Sequence, residues 1–131
     1  MKGSVIFLKN EAGSCVWFIP DCFYPDTNSP GHYVSHEAIC VLNTGNEDAN
    51  IKITLYFEDR EPIEGYTAQC NARRTNHIRM DKIKDAHGNG IPCGVPYAAM
   101  VESDKPVIVQ YSRLDTTQAE MSLMTAIAYH L

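Results

Sequence analysis

This sequence of 131 residues lacks the features that mark membrane and secreted proteins. No apolar stretch approaches the roughly 20 residues that a membrane-spanning helix needs. The apolar patch at residues 5–8 is shorter than the core of a secretory signal, which takes about 7–15 residues. We therefore expect a cytoplasmic protein without a signal peptide or a membrane insertion.

Signatures of metal sites, cofactor sites and catalytic nucleophiles are also missing. The five cysteines are scattered and form no Cys-x-x-Cys pair, so we interpret them as free thiols in a reducing compartment. The sequence contains no Gly-x-Ser-x-Gly, no Walker loop and no Gly-x-Gly-x-x-Gly. The close His-x-His spacing of a cupin-type metal site is absent as well. We expect no metal and no cofactor, although a Cys/His pair that meets in space stays open.

Basic residues are too few to favour nucleic acid as a partner. The chain has 16 acidic and 11 basic residues, for a net charge of −5. Nucleic-acid binding depends on clustered cations that neutralise phosphates. Hydrophobic residues make up 44% and charged residues 21%, as in a soluble globular domain. The length predicts one domain over residues 1–131.

The residues that are present predict strands. Alternation is clearest at residues 51–57, where Ile51, Ile53 and Leu55 share a face opposite Lys52 and Thr54. Further strands are predicted at residues 14–19, 34–42, 64–70, 75–80, 97–101 and 107–112, with a loop over residues 20–32. We expect the strands at 34–42 and 51–57 to form a hairpin or a sheet-to-sheet corner, and those at 64–70 and 75–80 to form an antiparallel pair.

The segment 117–130 fits both a helical stripe and a strand, and we favour a strand because an open sheet edge needs a partner. Short strands with frequent turns predict an all-β fold. We expect an antiparallel β-sandwich of the jelly-roll or immunoglobulin-like type, with about eight strands and little helix.

Three groups of polar residues are candidates for a binding site. His36 and Glu37 are adjacent, so in a strand they point to opposite faces. Residues 73–79 contain three arginines and a histidine, and guanidinium groups bind carboxylates, phosphates and vicinal hydroxyls. In the third group, Arg113 and Asp115 lie two apart and could bond each other. The candidates are His36, Glu37, Arg73, Arg74, His77, Gln110, Arg113 and Asp115.

Several longer blocks of this sequence resemble the sensory rhodopsin transducer family. The blocks occupy residues 33–45, 47–49, 51–57, 61–62, 72–79, 106–110, 112–120 and 125–129. The motifs Ser35-His36-Glu37, Arg73-Arg74-Thr75-x-His77 and Gln110-x-x-Arg113-x-Asp115 lie within or across these blocks and match polar motifs of the family. The resemblance covers nearly the whole chain, with residues 1–12 as an N-terminal extension.

The resemblance implies a small cytoplasmic β-sandwich that assembles as a homotetramer. It also implies a non-enzymatic role, either in binding a small polar ligand such as a sugar or in contacting a membrane receptor such as a sensory rhodopsin. Two alternatives stay open at this point. One is a small enzyme acting on sugars with His36 or His77 as its general base. The other is weak DNA binding through Arg73, Arg74 and Arg79.

Overall fold

The computed structural model describes residues 12–131, so nearly all of the predicted N-terminal extension lies outside the described residues. These residues form eight strands and no helix, which confirms the all-β prediction. The strands are β1 (Ser14–Phe23), β2 (His36–Asn43), β3 (Ala49–Phe57), β4 (Ile63–Cys70), β5 (Arg74–Arg79), β6 (Pro96–Asp115), β7 (Ser122–Ile127) and β8 (Tyr129–His130). Within residues 12–131, no helix has the length and apolar character needed to cross a bilayer.

The strands form two antiparallel sheets that share β6. The first sheet has the order β4-β3-β6-β1-β8, and it uses the first half of β6. The second sheet has the order β5-β2-β6-β7, and it uses the second half. The prediction of separate strands at 97–101 and 107–112 is therefore wrong. Residues 103–106, including Pro106, bulge out of the pairing with β1, and the strand continues into the second sheet.

The core lies between the facing sides of the two sheets. Along β3, Ile51, Ile53 and Leu55 are buried and Lys52 is exposed, as the alternation predicts, whereas Thr54 on the opposite face is also buried. Trp17 and Ile19 of β1 join this layer from the same sheet. The second sheet contributes Ile39, Val41, Ile78, Val107, Val109 and Tyr111. Burial of these side chains holds the sheets together, because each apolar side chain removed from water contributes about 1.5–3 kcal/mol.

The turn at residues 71–73 carries the chain from one sheet to the other. Its Arg73 has a φ of 56°, and the Arg73 N–H donates to the Gly45 carbonyl at 3.1 Å. The N–H of Ala72 donates to Asp48 Oδ1 at 2.8 Å. These bonds tie the turn to the β2–β3 connection, so β4 pairs with β3 and β5 pairs with β2. The predicted pairing of residues 64–70 with 75–80 is therefore wrong.

Three further predictions concern the limits of strands and their connections. The predicted loop 20–32 begins too early, because β1 continues to Phe23 by taking Pro20 and Asp21 into a bulge. The segment 117–130 contains strands β7 and β8, as favoured over a helix. The strands β2 and β3 lie in different sheets, so their connection is a corner and not a hairpin.

Candidate functional site

A glutamate carboxylate is buried between the two sheets, near the point where β1 ends. Glu37, in β2, has 0% of its surface exposed. Its Oε1 accepts a hydrogen bond from the Tyr97 hydroxyl at 2.7 Å. Its Oε2 accepts from the Tyr111 hydroxyl and from the Phe23 N–H, the latter at 2.8 Å. A buried carboxylate is strongly unfavourable without hydrogen bonds and a countercharge, so these three donors are essential to its position.

The countercharge comes from Arg113, which lies opposite Glu37 on the neighbouring strand β6. Arg113 Nε donates to the Tyr111 hydroxyl at 3.1 Å, and its guanidinium lies 5.7 Å from the centre of the Tyr111 ring. The Tyr111 hydroxyl accepts from Arg113 and donates to Glu37, which uses both capacities of a hydroxyl group. Tyr111 therefore links the two charges that the fold buries side by side.

The groups around Glu37 stay protonated because of their surroundings. Burial raises the pKa of Tyr97 and Tyr111, and the charge of Glu37 raises the pKa of both further. Burial, and then the charge of Glu37, also raise the pKa of the Cys22 thiol. The two hydroxyls therefore remain donors at neutral pH, and Cys22 is a poor nucleophile because the thiolate is disfavoured.

The buried network reaches the surface at the β1 bulge. The pairing of β1 with β6 shifts by one residue between Ile19 and Cys22, which places Pro20 and Asp21 outside the regular ladder. Arg113 Nη2 lies 3.5 Å from Asp21 Oδ1, and the Asp21 side chain is 84% exposed. A bulge re-aims the side chains of a strand, and here it brings a solvated carboxylate to the end of the buried network.

Two clefts flank this bulge. The wider cleft has a volume of about 390 Å³, and its walls include Asp21, Glu58 and the rings of Tyr56, Phe57 and Tyr97. The narrower cleft has a volume of about 180 Å³ and lies between β1 and the β7–β8 segment. Tyr97 forms part of the wider cleft and Tyr111 part of the narrower one. Both clefts therefore border a tyrosine that holds Glu37.

The eight predicted site residues fall into separate regions. Glu37 and Arg113 meet in the buried network. Asp115 lies at the end of β6 and accepts from Thr117 N at 2.8 Å, while Arg113 pairs with Asp21, so the expected Arg113–Asp115 bond is not formed. The remaining five residues lie on or beside the outer face of the second sheet. The structure therefore does not gather all eight into one concavity.

The outer face of the second sheet carries three of those five residues. His77 and Gln110 flank Cys40 in one cross-strand row, and His36 lies further along the same face of β2. Arg73 and Arg74 are exposed at the start of β5, at the edge of this face. The expectation that His36 and Glu37 point to opposite sides is confirmed, because Glu37 is buried and the His36 ring, half-exposed, bonds the Val34 carbonyl at 2.9 Å.

Three members of the site, Asp21, Tyr97 and Tyr111, were not predicted from the sequence. A signal for Tyr111 was present, since it shares a strand face with Val107 and Val109 and a tyrosine on an apolar face needs a partner for its hydroxyl. No local pattern connects Tyr97 with Glu37, which is 60 residues away in the chain. Among residues 12–131, no three His, Cys, Asp or Glu side chains form a group that could hold a metal ion.

Comparisons with known proteins identify the family and similar structures. A family model described as the Anabaena sensory rhodopsin transducer matches residues 12–130. The crystal structure of Thermotoga maritima 1070 is 40% identical over 92% of this chain and 97% of that one, with a TM-score of 0.81. The structure of the Anabaena sensory rhodopsin transducer is 34% identical over 79% of this chain and 99% of that one, with a TM-score of 0.69. No curated protein sequence matches the chain.

The hydrogen bond from Tyr97 to the buried carboxylate gives a first prediction. Tyr97→Phe removes the donor to Glu37 Oε1, and we expect the free energy of unfolding to fall by about 2–3 kcal/mol. Tyr66→Phe is the matched control, because the buried Tyr66 donates at 3.1 Å to an uncharged acceptor, the Gly90 carbonyl. Its loss is about 1 kcal/mol. Urea unfolding at neutral pH measures both, and equal losses would contradict a special role of the charge.

The raised pKa values of Tyr97 and Tyr111 predict alkaline unfolding. Above about pH 10 the unfolded chain releases both phenolic protons while the folded chain keeps them. The unfolded state then binds fewer protons, so the free energy of unfolding falls by up to about 1.4 kcal/mol per pH unit for each tyrosine. Urea unfolding across this range should give a shallower decline for Tyr111→Phe than for Tyr129→Phe, whose ring is exposed. Identical declines in both variants would refute the prediction that Tyr111 contributes to alkaline unfolding.

Proposed function

This chain belongs to the Anabaena sensory rhodopsin transducer family, and on that basis we propose that it is a non-enzymatic transducer domain with two binding functions. It binds a small polyhydroxylated ligand, a sugar or a related metabolite, in the wider cleft. It contacts a receptor protein, such as a sensory rhodopsin, through the outer face of the second sheet. The observation that carries the ligand function is the cleft itself.

The wider cleft has the size and lining that suit a sugar ring. Small-molecule sites usually enclose about 300–1,000 Å³, and this cleft has about 390 Å³. Tyr56, which is 40% exposed, offers an aromatic face against which the C–H face of a sugar packs, while Phe57, with the Arg60 guanidinium over its ring, and the buried Tyr97 form the wall behind it. Asp21 and Glu58 offer carboxylate oxygens that accept hydrogen bonds from hydroxyl groups. This pairing of flat apolar walls with acceptors favours a neutral sugar or an amino sugar over a sugar acid.

The buried network supports the cleft from below. Tyr97 donates to Glu37 and Asp21 lies 3.5 Å from Arg113, so two residues of the cleft lining belong to the same set of bonds. A ligand hydroxyl that bonds the other carboxylate oxygen of Asp21, Oδ2, leaves the contact between Arg113 and Oδ1 in place. Ligand binding therefore acts directly on a charge that is linked through Tyr111 to the interior of the domain. This linkage is how we propose that an occupied cleft alters the rest of the molecule.

The outer face of the second sheet is the proposed receptor surface. Arg73, Arg74 and His77 are exposed on or beside it, and they give a cationic edge to an acidic protein. Arg79 is less available, because its guanidinium forms two hydrogen bonds of 2.8 and 2.9 Å with Asp81. Charges at the rim of an interface steer association, so we expect the receptor to present an acidic surface to Arg73 and Arg74.

The assembly and compartment complete the proposal. We propose a homo-oligomer, with a tetramer as the expected size, in the cytoplasm. The five cysteines are all free thiols, which fits a reducing compartment. Neither His36 nor His77 lies at a cleft that borders the buried carboxylate, so we do not assign either a role as a general base.

Calorimetry of the intact protein against a panel of neutral monosaccharides, amino sugars and sugar acids tests the ligand function. We expect at least one neutral or amino sugar to bind, and Tyr56→Ala to weaken it about tenfold through loss of the aromatic wall. Arg113→Ala is also expected to weaken binding tenfold or more, because Asp21 loses its partner. Tyr33→Ala, which removes an exposed ring that does not line the cleft, is the control. A panel without a hit, or equal effects of Tyr56→Ala and Tyr33→Ala, would overturn the assignment.

Binding to a sensory rhodopsin in detergent micelles tests the receptor function separately. Reversal of one charge on the proposed surface, Arg74→Glu, should weaken binding about tenfold, mainly through slower association. Lys52→Glu reverses an exposed charge on the other sheet and should leave binding unchanged. Absence of binding by the unmodified protein, or the same loss in both variants, would count against this surface. Ligand binding is measured independently, so either function can fail while the other stands.

A further inference from the structure

The narrower cleft is a gap in the packing between the two sheets. Ala126 pairs with Tyr111 in the ladder between β7 and β6, so both side chains lie on the same, inward side of the second sheet. Met124, two residues earlier, lies on this side as well. Yet Met124 is 39% exposed and Ala126 is also exposed. Protein interiors are normally filled to the density of an organic crystal, so the inward side of β7 is left open here.

The walls of this cleft suit a compact apolar body. Of the described residues that line it, only Asp21 carries a charge. The other lining side chains are aliphatic or aromatic and include Phe18, Met124 and Tyr129. A cavity of about 150 Å³ is enough to hold benzene, and a flexible methionine adapts its shape to an occupant. The cleft of about 180 Å³ therefore favours a single six-membered ring and offers few partners to the hydroxyl groups of a sugar.

The charges beside the β1 bulge determine the polar part of the occupant. Arg113 carries one positive charge between two carboxylates, Asp21 at the surface and Glu37, which it reaches through Tyr111. One cation and two anions leave this group with a net negative charge. Arg113 contacts Oδ1 of Asp21 at 3.5 Å, and the Asp21 side chain is mostly exposed, so Oδ2 is accessible to a ligand. A cation that bonds Oδ2 balances the remaining charge.

We propose that the narrower cleft binds a small amine that carries one aromatic ring. The ring lies between β1 and β7, and the ammonium group bonds Asp21 Oδ2. The exposed ring of Tyr129 adds an aromatic face at the cleft, which attracts both a second ring and a nearby cation. A carboxylate ligand of the same size is disfavoured, because it would approach the carboxylate of Asp21 without a cation between them.

This site is distinct from the proposed sugar site. Asp21 lines both clefts, whereas Met124 and Ala126 line the narrower cleft and not the wider one. Tyr56 and Glu58 line the wider cleft and not the narrower one. Substitutions at positions 126 and 58 therefore separate the two sites. The inference goes beyond the proposed function, since it concerns another cleft and another class of ligand.

A comparison of three ligands of similar shape tests the chemistry of the occupant. The probe is phenethylamine, and its neutral and anionic counterparts are 2-phenylethanol and 3-phenylpropionate. Backbone amide shifts of the intact protein, followed by NMR during titration, measure binding. We expect phenethylamine to bind about two- to fivefold more tightly than 2-phenylethanol, as a screened ion pair allows, and 3-phenylpropionate to bind most weakly. The preference should shrink as salt rises from about 0.01 M to 1 M. Absence of phenethylamine binding, or equal binding of all three, overturns the proposal.

A larger side chain inside the cleft tests its location. Ala126→Leu extends an inward side chain into the space for the ring and should weaken phenethylamine binding at least about tenfold. Thr125→Leu is the matched control, because the next residue of β7 is exposed, points to the opposite face and does not line the cleft. Melting curves check that both variants are folded. Equal losses in the two variants would mean that the ring lies elsewhere.

Removal of a single carboxylate tests the position of the ammonium group. Asp21→Asn should abolish the preference for phenethylamine over 2-phenylethanol and leave the binding of 2-phenylethanol in place. Glu58→Gln removes the other carboxylate of the wider cleft and should leave the amine preference unchanged. A preference that survives Asp21→Asn, or one that Glu58→Gln abolishes, places the ammonium group outside the narrower cleft and overturns the proposal.

Failure of this inference and failure of the proposed function appear in different measurements. A sugar that binds the protein when phenethylamine does not would overturn the amine site and leave the sugar function intact. Phenethylamine binding that Ala126→Leu blocks, in a protein that binds no sugar of the panel, would support the amine site and overturn the sugar function.

Discussion

The burial of one carboxylate between two sheets is the constraint on which the rest of the site depends. Glu37 remains inside because Tyr97, Tyr111 and the Phe23 N–H donate to it and Arg113 balances its charge. These donors come from β6 and from the last residue of β1, so the course of these two strands decides where the carboxylate can lie. An apolar residue at position 37 would also fill this space. The buried carboxylate therefore adds a need for hydrogen-bond donors that packing alone does not impose.

The shared strand β6 explains how one network can reach so many parts of the molecule. It supplies Tyr97 to the first sheet and Tyr111 and Arg113 to the second. A single strand therefore donates to both oxygens of the carboxylate. The β1 bulge then brings Asp21 to the exposed end of Arg113. The charge of Asp21 at the surface and the charge of Glu37 in the interior are connected through Arg113 and Tyr111. Coupling through so few groups needs no large movement.

The alternation of side chains divides the second sheet into surfaces with different roles. Glu37 and Arg113 face the interior, whereas His36, His77 and Gln110 face outward on the same strands or their neighbours. The proposed receptor face therefore lies on the opposite side of these strands from the buried network.

Sequence by itself determined the all-β class, the faces of single strands and the family, because alternation and motif spacing are local properties of the chain. It predicted the buried face of β3 and the opposite directions of His36 and Glu37. Tertiary structure alone decided which strands pair and which polar groups meet. Tyr97 and Tyr111 lie 60 and 74 residues from Glu37, and only the stacking of two sheets brings them within hydrogen-bonding distance. Pairing across such separations depends on the closure of the whole sandwich, which no local pattern records.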